Sequence, residues 1–84
     1  MNKYKTTMKT HHVKLNTAYY DYVEMRIKNA EVRFNDRDYK TNDWLVLEEW
    51  TGTEYTGNTI VRQIVGVFPL DGIGLNGWVL LCLK

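Results

Sequence analysis

Glu31 and Arg33 stand two residues apart in the stretch EVRFNDRDY, with Lys28 three residues before Glu31. On an extended chain that spacing puts both side chains on one face, about 6.5–7 Å apart along the strand. A carboxylate and a guanidinium so placed can grip one polar ligand. Glutamate accepts from the amino and imino edges of a base, and arginine donates two parallel bonds to phosphate, guanine or carboxylate. The competing reading is a structural ion pair, since charge networks also form where nothing binds. In the turn that follows, Asn35 and Asp36 suit Asx turns that fix the loop. Asp38 is read as structural, Arg37 as the group that meets phosphate, and Tyr39 as a ring for stacking on a base. Trp50 and Tyr55 flank a Gly- and Thr-rich connection with Arg62 beyond it. Such aromatic–basic interleaving is how single-stranded nucleic acids are held.

Other chemistries find less support. Serine is absent from the chain, which excludes a serine nucleophile. His11 and His12 are adjacent, so on a strand they point to opposite faces and do not share a metal ion; no metal site is expected. The single Cys82 lies in the apolar run WVLLCL and reads as a small buried thiol; one cysteine builds no internal disulfide. GIGLNG lacks the following helix a phosphate loop needs. No cofactor is called for. Eleven Lys and Arg against ten Asp and Glu leave only a weak overall field, so nucleic-acid binding would have to use a local patch.

The elements that must position these residues follow from periodicity. Residues 1–8 read as a loose polar arm and 9–84 as one domain. In HHVKLN, Val13 and Leu15 alternate with His12, Lys14 and Asn16, the pattern of a short strand. Thr17 is placed to cap a helix from Ala18 to about Lys28, with Tyr19, Val23 and Ile27 as core anchors and Tyr22 near the rim. Residues 31–35 return to a period of two, and Asn42 suits a left-handed turn. WLVLEEW (44–50) and TIVRQIVGVF (59–68) read as strands joined through TGTEYTGN, with Gly66 marking a bulge. WVLLCL (78–83), apolar on both faces, suits a central strand, and Trp44 and Trp78 read as core. The class expected is α+β: one main helix and about five strands in a curled, mostly antiparallel sheet. No apolar run nears the ~18 residues of a membrane span, and the expected setting is a soluble cytoplasmic domain.

The run KNAEVRFNDRDYKTNDWLVLEEW, with KTHHVKL before it and EYTGNTIVRQIVGVF and GWVLLCLK after it, resembles the ASCH family, a branch of the PUA-like folds. It is most similar to a small ASCH-like group common in phages and mobile elements. The group's signature K-x-x-E-x-R, running into N-D-R-D-[FY], falls on Lys28, Glu31 and Arg33, then Asn35 to Tyr39. Where the group usually has Gly before the lysine this chain has Arg26, and it has Asn42–Asp43 where Gly–Asp is usual. The resemblance implies a PUA-like β-barrel whose cleft beside the helix binds RNA or a nucleoside or nucleotide. On this reading the ligand-binding set is Lys28, Glu31, Arg33, Asn35, Arg37, Tyr39, Trp50 and Tyr55. Some ASCH proteins resemble amidohydrolases of acylated nucleosides that use a Lys and a Thr three residues later. Here Glu31 takes the Thr position, which removes that nucleophile and turns the expectation toward binding. An enzyme would instead need Glu31 as general base for water and Lys28 on the oxyanion. A third reading is a phage-type module that contacts a host or phage protein, with Trp50, Tyr55 and Ile73 exposed.

Overall fold

Alternation of apolar and polar residues sets the strand faces in the computed structural model, which describes residues 7–84. The expected arm at 1–8 therefore falls mostly outside the described residues. In chain order the elements are β1 (Thr10–Asn16), α1 (Thr17–Glu24), β2 (Ala30–Phe34), β3 (Trp44–Trp50), β4 (Tyr55–Pro69) and β5 (Trp78–Leu83). A short 3-10 turn at Asp71–Ile73 precedes β5. Val13 and Leu15 of β1, Leu45 and Leu47 of β3, Ile60 and Ile64 of β4, and Val79 and Leu81 of β5 turn inward and form the core with Val23 of α1. Burial of these side chains, at about 1.5–3 kcal/mol each, supplies the main stabilisation of so small a domain.

The strands make one five-stranded sheet in the order β1-β3-β4-β5-β2. β1 runs parallel to β3, and the three other pairings are antiparallel. The sheet is α+β as expected, with β5 interior to it, but it is not closed into a barrel. β4 spans 15 residues and is shared by both halves of the sheet. It pairs with β3 from Tyr55 to Gln63 and with β5 from Ile64 onward, with a register shift between Ile64 and Gly66 at the bulge. That irregularity turns the strand, yet β1 and β2 remain two separate edges. No backbone ladder joins them.

Four local expectations are corrected. First, α1 stops at Glu24 rather than Lys28. Arg26 takes a left-handed conformation (φ 60), Arg26 N–H donates to Val23 O and Ile27 N–H donates to Tyr22 O. This is a Schellman closure, which ends a helix even without glycine at the left-handed position. Second, Tyr19 and Ile27 are 51% and 64% exposed, so of the expected anchors only Val23 reaches the core. An eight-residue helix is too short to bury a full stripe. Third, Trp44 and Trp78 are each 40% exposed, because both begin strands at the margin of the sheet. The helix N-cap is also shifted: Asn16 Oδ1 accepts from Ala18 N–H, while Thr17 Oγ1 donates to Glu49 at 2.6 Å.

Candidate functional site

β2 inverts the usual rule. Its apolar Val32 and Phe34 face outward, each 51% exposed, while Glu31 is buried and Arg33 half-buried on the inner face. A charge turned inward needs partners, and the pair finds them. Lys28 Nζ lies 2.8 Å from Glu31 Oε1 and also donates to Ala30 O at 2.6 Å. Arg33 Nη2 lies 3.5 Å from Glu31 Oε2 and donates across the gap to Lys14 O of β1. One guanidinium therefore joins the two sheet edges that backbone hydrogen bonds do not.

Around that bond lies a cleft of about 420 Å³, lined by Lys14, Tyr19, Glu31, Arg33, Tyr39 and Trp78 among others. Phe34 and Trp78 meet edge to face at 5.8 Å at its side. Tyr19 comes from α1, and Lys28 Nζ sits 5.7 Å from its ring centre. The walls thus carry exposed rings and basic groups around the buried Glu31 carboxylate, with the exposed Asp36 carboxylate also on the lining.

Tyr39 enters through the loop 35–43, whose shape is fixed by local hydrogen bonds. Asn35 Oδ1 accepts from Tyr39 N–H at 2.9 Å, Asn35 N–H donates to Gly77 O, and Asp38 (φ 52) and Asn42 (φ 79) take left-handed turns. The end of the loop is held by Asp43, which is buried. Its carboxylate accepts from Lys9 N–H at 3.0 Å, from Lys40 N–H at 3.0 Å and from His11 Nε2 at 2.7 Å. His11 in turn lies edge-on to Tyr39 with ring centres 4.8 Å apart. Burial pushes the Asp43 carboxyl up, but the His11 and backbone hydrogen bonds outweigh it and hold its pKa below the ordinary aspartate value. Burial raises the Tyr39 phenol above its ordinary range, with Arg33 and Arg37 opposing that shift.

The structure brings together Glu31, Arg33 and Tyr39 as lining residues, with Lys28 behind Glu31 and Asn35 shaping the turn. Arg37 does not line the cleft; its Nε lies 3.9 Å from Asp36, both on the surface. Trp50 and Tyr55 lie outside it too, stacked edge to face at 4.8 Å beside Lys14, whose Nζ is 3.9 Å from the Trp50 ring centre. Lys14 is the link between that aromatic pair and the cleft. Inspection of the sequence misses Tyr19, Lys14, Phe34 and Trp78 as lining residues, and the His11–Asp43 pair beneath them. Only Asp43 carried a local signal, as an Asp at the end of a turn that can accept from the N–H three residues before. Among the described residues no three His, Cys, Asp or Glu come together as a metal site. No helix of the described residues is long and apolar enough to cross a membrane.

Residues 10–83 match the family described as a domain of unknown function, DUF3850. An uncharacterised 12.9 kDa protein in the GpA 3′ region of Escherichia phage P2 is 40% identical over 73 residues. The match takes in 87% of this chain and 66% of that protein, so the chain spans just under two thirds of its relative's length.

Proposed function

The chain belongs to the DUF3850 family, and we propose that it is an RNA- or nucleotide-binding module that uses the cleft between β1 and β2. The observation that carries this reading is the cleft's composition: a buried carboxylate, a guanidinium and the rings of Tyr19, Phe34 and Trp78 in one 420 Å³ groove. Rings offer faces to bases, Glu31 offers an acceptor to a base edge, and Arg33 and Lys14 offer charge to phosphate. The resemblance to ASCH-type modules supports the same ligand class. Binding is favoured over hydrolysis because the Lys28 ammonium is committed to Ala30 O and Glu31 and does not line the cleft.

The test is an NMR titration of the chain with a mixed set of nucleotides and short single-stranded RNAs. Saturable shifts at Glu31, Arg33, Tyr39 and Trp78 are expected, and Arg33→Ala should lose them while keeping its dispersed spectrum. Absence of shifts in these residues across the whole set would sink the proposal.

One observation favours a second reading, a protein-interaction module. Val32, Leu80 and Phe68 are cross-strand neighbours on β2, β5 and β4; Val32 also borders the cleft, whereas Leu80 and the half-exposed Phe68 lie outside it. If this face is the working surface, Phe68→Glu should abolish capture of a phage or host protein that Arg33→Ala leaves intact.

A further inference from the structure

A second pocket, of about 270 Å³, lies at the bend of β4 and is lined by Arg26, Trp44, Val61, Arg62, Gln63 and Lys84. It shares no lining residue with the cleft. Three of its six side chains are cationic and none is a carboxylate. Among the described residues neither Arg26 nor Arg62 forms an ion pair. Arg62 donates through Nη2 to Val23 O at 3.1 Å and through Nη1 to Val61 O at 2.9 Å. Its Nε–H is buried without a hydrogen-bond partner. An orphaned buried donor on a charged group is costly and rare in folded proteins. Burial lowers the Arg62 pKa, the neighbouring Arg26 lowers it further, and Glu24 opposes both without reaching ion-pair distance. Arg26 adds a separate cost, since it occupies a left-handed turn (φ 60) that glycine fills with less strain. Two guanidiniums without an ion pair and an indole 40% exposed therefore line one cavity, and one of those guanidiniums carries a buried, orphaned N–H.

We propose that this pocket binds a phosphate group, with the oxyanion between Arg26 and Arg62 and Trp44 positioned to cover a ring attached to it. Guanidinium N–H groups match phosphate oxygens in geometry and charge, and an aromatic ring over a base adds affinity without sequence preference. Inorganic phosphate and a nucleotide phosphate share this chemistry, and the measurement separates them.

The arginine side-chain Nε–Hε resonances of the whole chain are followed while inorganic phosphate, AMP or adenosine is added. Phosphate is expected to move the Arg62 resonance saturably. Tighter binding of AMP than of phosphate, reversed by Trp44→Ala, identifies a nucleotide; equal binding identifies inorganic phosphate. Arg26→Gly relieves the turn and so keeps the fold, and it should weaken phosphate binding by about tenfold, the loss of one charge-assisted contact. Arg26→Lys keeps the charge and should stay within about threefold of the parent on the same scale. The proposal is overturned if neither phosphate nor AMP shifts Arg62, or if Arg26→Gly binds phosphate as well as the parent chain.

Discussion

Replacing Asp43 with Asn tests whether one buried carboxylate holds the loop that carries Tyr39. The native Oδ1 accepts from Lys9 N–H, and Oδ2 accepts from both Lys40 N–H and His11. An amide has a single oxygen, so one rotamer orphans Lys9 N–H and the other orphans Lys40 N–H; either way a donor meets a donor. An unsatisfied buried N–H costs about 1–3 kcal/mol, and the remaining bonds lose their charge assistance, giving about 2–4 kcal/mol in all. That is a large share of the ~5–15 kcal/mol expected of a folded domain. In urea, with a slope of about 1 kcal/mol per M, the midpoint should fall by about 2 M or more.

The variant also predicts a pH signature. The folded Asp43 pKa lies below the unfolded one, so its contribution is complete above the unfolded value of about 3.9 and is lost as pH falls through the folded value. The gap between parent and Asp43→Asn should therefore be widest near neutrality and narrow below about pH 4. Denaturation at several pH values measures both effects. A midpoint change under about 0.5 M, or a gap that widens in acid, would refute this account of the loop.

Two further outcomes follow from the same geometry. Gly77 has φ +83, and a Cβ there would sit 2.7 Å from the Phe34 ring, so Gly77→Ala should destabilise by about 1–3 kcal/mol in denaturant unfolding. Glu31→Gln leaves Lys28 and Arg33 facing a neutral amide; because both cations are partly solvated, the loss should be about 1–2 kcal/mol by the same measurement, with parent-like unfolding cooperativity.

Much of the fold was legible because short-range periodicity reports directly on which face of a strand is buried. Val13 and Leu15, the 44–50 strand, the Gly66 irregularity and the left-handed Asn42 all follow from local pattern. Periodicity carries the helix past its end because Arg26 gives no local stop signal; unlike Asn42, an arginine has no preference for a left-handed turn, so that turn shows only in the backbone. The site was legible at Glu31 and Arg33, whose spacing of two survives any placement of the strand. It was not legible at Tyr19, Lys14 and Trp78, which lie far apart in sequence and meet only where the two sheet edges approach.

By itself, then, the sequence determined which residues share a strand face and that charge and aromatic rings are plentiful near Glu31. Tertiary structure decided that this charged face turns inward, that the sheet stays open between β1 and β2, and that Arg33 crosses the gap to Lys14 O. It also separated Trp50 and Tyr55 from the cleft and set Tyr39 over the His11–Asp43 pair. The physical reason is one of range. Strand periodicity is imposed by neighbouring residues, whereas the facing of two edges depends on how a 15-residue strand bends between them.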